Sequence, residues 1–262
     1  MSGFRDGRFA ALKAKIAALE AGGRSDSESL PLGDPRLDRC FSGGGLPLGQ
    51  WHEFGGEGME AETCAAPAAF AALLAAPLAR QGEAVWILRR DDLFAPGLAG
   101  LGFPAERLIQ VCVRDEAEAL AAAEDALSAV GVAAVFAEAE AVDLTAGRRL
   151  QLACEKHGAT GFIVRRRPYG GEGRKTPSGS AAATRWKIAP APSEPGLGEF
   201  GLGAPRWRAE LERCRGGRPG AWLMEAASAY SWETKDGAHP LRLVAELGDR
   251  ELAPTQPVRL SA

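Results

Sequence analysis

Gly43-Gly44-Gly45-Leu46-Pro47-Leu48-Gly49-Gln50-Trp51-His52-Glu53-Phe54-Gly55-Gly56-Glu57-Gly58-Met59-Glu60-Ala61-Glu62-Thr63 decides how this chain is read. A glycine-rich turn leads into a short strand at 50–54. A second glycine-rich loop follows, and then an alanine-rich helix expected over 61–80. Strand, glycine loop and helix in that order are the setting of a phosphate-binding loop, whose pattern is G-x-x-x-x-G-K-[ST]. Counted from Gly56, the first glycine and Thr63 keep the pattern, whereas Ala61 replaces the second glycine and Glu62 replaces the lysine.

The charge change is decisive. At ~4 Å and an effective dielectric of ~20, a unit charge pair is worth on the order of 4 kcal/mol, and a carboxylate in place of the lysine turns that attraction for phosphate into repulsion. The helix N-terminus still offers N–H groups and a positive dipole end, but Glu62 can satisfy them from within the chain. The expectation is a nucleotide-binding architecture with no nucleotide cofactor and no catalytic residues.

Working outward, 262 residues suit one large domain with small terminal additions. The divisions expected are an N-terminal helix and linker over 1–29, a core over 30–226, and a loosely held tail over 227–262. A net charge of -3 excludes a generally basic nucleic-acid binder and confines any such role to a local patch. Cys40, Cys64, Cys112, Cys154 and Cys214 are scattered with no C-x-x-C pair, as expected of reduced thiols in a cytoplasmic protein. His52, His157 and His239 have no metal-ligand spacing, so no metal is expected. The longest apolar run, 65–79, is too short for a membrane span and is cut by Pro67 and Pro77, and the first residues lack a signal-peptide pattern.

Phe9, Leu12, Ile16 and Leu19 recur at helical spacing and predict an amphipathic helix, which Gly22-Gly23 ends before a polar linker at 24–29. Beyond the central stretch, strands are expected at 84–88, 108–113, 132–137 and 160–164. Helices are expected at 115–130, capped by Asp115, and at 143–157, capped by Asp143 and stopped by Gly158. This alternation predicts an α/β fold: a doubly wound, mostly parallel sheet with helices on both faces. Its ligands would sit at the carboxyl ends of the strands, beside the loop at 55–63. After a basic, glycine-rich stretch at 165–180 come an alternating strand at 182–189 and an antiparallel hairpin formed by 206–213 and 221–225.

The stretch from Leu32 to Thr63, with the strands and helices after it, resembles the core of RecA recombinases. It is more similar to the ImuA family of RecA-like damage-inducible mutagenesis proteins. Leu30-Pro31-Leu32-Gly33, Leu37-Asp38, Gly44-Gly45-Leu46-Pro47 with His52-Glu53, Asp143-Leu144-Thr145 with Arg148-Arg149-Leu150, Ser180 through Trp186, and Pro205-Arg206-Trp207 carry that resemblance, in this order, over roughly 30–225. It implies a RecA-like sheet in which the metal-holding acid's strand ends in Glu138. Arg90 falls in the place of the water-activating acid, and Arg165 or Arg166 in that of a polar sensor. Phosphoryl transfer is positioning plus charge neutralisation, so losing these groups together with the lysine implies a pseudo-ATPase.

The implied role is accessory. The protein would act in the SOS response, in translesion synthesis, with an ImuB-type Y-family polymerase homologue, an error-prone C-family DNA polymerase in the same assembly, and RecA. Arg165, Arg166, Arg167, Arg174, Lys175, Arg185 and Lys187 are the candidate contacts to single-stranded DNA or a partner. A solvated linker at 165–180 is the equally open alternative. Arg185 and Lys187 flank Trp186 and predict a basic outer strand face. Trp186 and Trp207 are expected in the core, and Glu62 and Glu138 are expected to be solvated or hydrogen-bonded without a chemical task. Two rivals remain: a divergent RecA-like ATPase using Thr63, Glu138 and Asp91 or Asp92, and a SulA-type inhibitor of cell division.

Overall fold

A computed structural model of the chain describes residues 28–57, 65–166, 180–195, 201–227 and 239–247. The expected N-terminal helix lies outside these residues, as do Ala61, Glu62, Thr63, Arg167, Arg174 and Lys175.

Eleven strands form among the described residues: β1 (Ser29–Leu30), β2 (Leu46–Pro47), β3 (Trp51–Gly56), β4 (Glu83–Leu88), β5 (Leu108–Cys112), β6 (Val132–Ala139), β7 (Thr160–Arg165), β8 (Thr184–Ala191), β9 (Arg206–Cys214), β10 (Gly220–Ala226) and β11 (Leu241–Glu246). The helices are α1 (Pro35–Asp38), α2 (Ala66–Ala79), α3 (Ala95–Gly100), α4 (Glu116–Leu127) and α5 (Leu144–His157). β1 and β2 pair with each other, so Ser29, assigned above to a linker, belongs to a strand. The other nine strands form one sheet in the order β5-β4-β6-β7-β3-β8-β9-β10-β11. β5 through β8 run parallel, and β9, β10 and β11 add antiparallel. This is the mixed, mostly parallel α/β sheet expected, consistent with a RecA-like arrangement. One expectation is corrected: the stretch after residue 226 is not wholly a loose tail, because Leu241–Glu246 pairs with β10 and closes that side of the sheet.

The core has two layers, because successive strand residues point to opposite faces. On one face Trp86, Phe136, Phe162, Phe54 and Trp186 form a ladder across β4, β6, β7, β3 and β8, with successive ring centroids 4.3, 5.1, 6.0 and 6.3 Å apart. Such contacts contribute roughly 0.5–1.5 kcal/mol each beyond area burial. Rings this large leave room only for a thin helix, and α2 supplies one: it is mostly alanine and buried almost all round. Pro67 sits in its first turn, where no intrahelical donor is lost. Leu37, Phe41, Phe103 and Leu241 belong to the same buried cluster.

The other face packs Trp51, Val85, Ile87, Val135, Ala137 and Ile163 under α4 and α5. Asp115 and Asp143 cap these helices by accepting the amides of Glu118 and Ala146, and Gly158 closes α5 at φ 79°. Gly147 lets α5 approach the sheet. Its carbonyl accepts Trp51 Nε1 at 3.0 Å, and a Cβ there would lie 3.0 Å from the indole.

Candidate functional site

The parallel strands all end at one rim of the sheet, and two buried carboxylates mark it. Glu53 and Glu138 are each 3% exposed. They lie on opposite faces, because Glu53 alternates with Trp51 on the α4/α5 side and Glu138 alternates with Phe136 on the α2 side.

Glu53 is held from three directions. Arg165 Nε lies 3.4 Å from Oε1, and Arg185 Nε lies 3.3 Å from Oε2. Ser180 Oγ donates to Oε2 at 3.1 Å, and Arg165 Nε also donates to the Glu140 carbonyl at 3.1 Å. Arg213 donates to the Ser180 carbonyl, and Arg215 Nη2 donates to the Ala181 carbonyl at 2.6 Å. One carboxylate thus joins the chain just before residue 167 to the chain just after residue 179.

Glu138 is held by one cation. Arg166 Nη1 lies 3.0 Å from its Oε1, and the Arg89 amide lies 3.5 Å from Oε2. The same guanidinium forks onto Asp92 at 2.7 and 2.8 Å. Burial lifts the Glu138 carboxyl above the usual glutamate value, against the pull of Arg166. Hydrogen bonding to Arg166 holds the more exposed Asp92 below its usual value. Glu138 is therefore hydrogen-bonded rather than solvated.

Lys187 points to Glu57 at 3.0 Å and Glu210 at 3.9 Å, and Arg208 also reaches Glu57 at 3.7 Å. The lysine hydrogen bond holds the Glu57 carboxyl below its usual value. The basic outer face expected on β8 is thus corrected to a face whose cations are ion-paired, Arg185 with Glu53 and Lys187 with Glu57 and Glu210. Its side-chain alternation is as expected, but β3, the residue after it and β9 supply an acid for each cation. Gly56 pairs with Ile188 at the end of β3, where the glycine loop begins. Arg90 follows β4 and is exposed, as is Asp91.

No protein-family model matches the chain. The curated Protein ImuA of Caulobacter vibrioides, strain NA1000 / CB15N, is 59% identical to it over 240 residues, which is 90% of this chain and 96% of that protein. The same figures hold for Protein ImuA of strain ATCC 19089 / CIP 103742 / CB 15. The chain belongs to the ImuA family.

Within this ImuA fold the structure brings together Arg165, Arg166, Arg185, Lys187 and Glu138 at one rim. It also adds residues for which no role is apparent from sequence. Glu53 is one, though an acid set between Trp51 and Phe54 in a strand is a visible signal. His52 is another, with no exposed surface. Its Nε2 donates to the Pro47 carbonyl at 2.9 Å, so its Nδ1 accepts from Thr184 Oγ1 at 2.8 Å, and that oxygen accepts Trp186 Nε1 at 3.0 Å. Burial lowers the His52 pKa to about 4 and keeps the ring neutral. Among the described residues no group of three acids, histidines or cysteines could hold a metal ion, and no helix is long and apolar enough to cross a membrane.

Proposed function

We propose that this ImuA-family chain is a non-catalytic, RecA-like accessory of damage-inducible SOS mutagenesis. The observation that supports this most is the Glu138–Arg166–Asp92 cluster. Glu138, which the resemblance sets where a RecA-like enzyme would hold its metal, is paired with the guanidinium of Arg166, just after β7. An acid committed in this way cannot also bind a metal–nucleotide complex without leaving Arg166 half-paired. Glu62, in the place of the phosphate-binding lysine, points the same way.

Without a nucleotide switch, the protein acts by contact. Its partners on this reading are an ImuB-type Y-family polymerase homologue, an error-prone C-family polymerase in the same assembly, and RecA. Arg165, Arg166, Arg185 and Lys187 already face carboxylates, so Arg167, Arg174 and Lys175 are the candidates left for contact with single-stranded DNA. The test is co-purification of the full chain with the ImuB-type protein of the same organism and with RecA, with and without magnesium and ATP. Binding that is indifferent to nucleotide is expected. Binding that requires ATP, or no binding to either protein, contradicts the reading.

A further inference from the structure

The two edges of the nine-stranded sheet are protected very differently. β11 is guarded: Arg242 and Glu246 interrupt its apolar residues, its pairing with β10 shifts register between Leu223 and Met224, and Arg39 reaches over to Glu246. β5, Leu108-Ile109-Gln110-Val111-Cys112, has no charge and no proline, and its register with β4 is unbroken. Natural sheets usually blunt exposed edges with just those devices.

The backbone of β5 is open on its outer side. The Val113 amide donates to the Leu88 carbonyl at 2.9 Å. Parallel ladders alternate, so Ile109 and Val111 turn their backbone groups to β4, while Gln110 and Cys112 turn theirs outward. No strand lies beyond β5 among the described residues. Ile109 is 49% exposed on the α4 side. Ala119, Ala123 and Leu127 of α4 face the sheet, and Glu124 pairs inboard with Arg149. Helical spacing then sets Ala122 and Ala126 toward the open edge, as a shallow apolar shelf beside Ile109. The nearby pairs Arg107–Glu83 and Arg114–Glu118 are neutral. Exposed Glu106 and Asp125, both near the amino end of β5, face no cation among the described residues, so the edge is weakly acidic.

We propose that β5 is a strand-addition site for an extended segment of a protein partner. The segment pairs with the outward N–H and C=O groups of Gln110 and Cys112. It sets an apolar side chain against Ile109 and the Ala122/Ala126 shelf, and carries a lysine or arginine opposite Glu106 and Asp125. An uncharged edge flanked by acids does not suit a nucleic acid.

Gln110→Pro tests this, because it deletes an outward N–H that no ladder bond uses, and proline is tolerated on an edge strand in that orientation. The full chain and its Gln110→Pro variant are panned in parallel with a phage-displayed library of linear peptides. We expect enrichment, on the unmodified chain, of peptides with alternating apolar residues and a basic residue. A synthetic copy should bind it about tenfold or more tightly than the variant, by fluorescence anisotropy. Both proteins should melt at the same temperature; if the variant melts lower, Ile109→Lys takes its place. No enrichment, or equal binding by both proteins, overturns the proposal. So does a dimer of the unmodified chain in sedimentation that the variant converts to monomer, which would give the edge to a second copy.

Discussion

Glu53 and Glu138 are equally buried, sit at the same rim, and differ in how they are matched. Glu53 faces two guanidiniums and a hydroxyl, drawn from β7, β8 and the segment before β8. Glu138 shares a single guanidinium with Asp92, whose side chain is 43% exposed. The first cluster is a fastening inside the fold. The second opens to solvent on one side, through Asp92. A buried acid is therefore not a sign of chemistry in itself; the number and exposure of its partners separate structure from site.

The largest effect should come from Glu53→Gln. It leaves Arg165 and Arg185, whose side chains are 14% and 20% exposed, without their shared counter-charge. Breaking a buried pair in this way costs about 3–5 kcal/mol, to be read by chemical denaturation. A loss near zero would break the comparison.

Next comes acid. His52, on the opposite face of β3, and His239, whose Nε2 lies 3.3 Å from the Leu74 carbonyl, are both lowered by burial from 6.5 to about 4. Folded-state values below the unfolded value mean that the unfolded chain takes up these protons first. The stability they contribute is complete above the unfolded value and drains away as pH falls toward about 4. In that window each histidine contributes a slope of about 1.4 kcal/mol per pH unit, and His52→Gln should remove one of the two. An unchanged slope would show that His52 is charged or solvated.

Glu138→Gln should cost only about 1 kcal/mol, because Arg166 keeps Asp92 and the amide still accepts a hydrogen bond. A loss as large as that of Glu53→Gln would erase the distinction between the clusters. Smallest of all, Asp92→Asn should cost no more than about 1 kcal/mol and less in high salt, as exposed pairs do.

Much of the fold was legible because its signals are local. Apolar runs such as Trp86-Ile87-Leu88 mark strands buried on both faces, and Asp115, Asp143 and Gly158 mark helix ends through side-chain and left-handed caps. α3 was invisible, since Pro96, Gly97 and Gly100 argue against a helix that packing at Leu98 and Phe103 nevertheless holds. β11 is hard to see in the sequence, although Leu241, Leu243 and Ala245 alternate with Arg242, Val244 and Glu246, because the stretch around it is polar. At the rim, alternation placed Arg185 and Lys187 on one face of β8. It could not show that Glu53 and Glu57 meet them, since that depends on β8 lying beside β3, more than a hundred residues away in sequence.

The most direct test of the non-catalytic reading is ATP turnover by RecA on single-stranded DNA, with the full chain titrated in and a control lacking RecA. Turnover that falls as the chain is added, with a silent control, is the predicted result. ATP hydrolysis in the RecA-free control would contradict it, and would make the chain an enzyme despite Glu62 and the Arg166 clamp on Glu138.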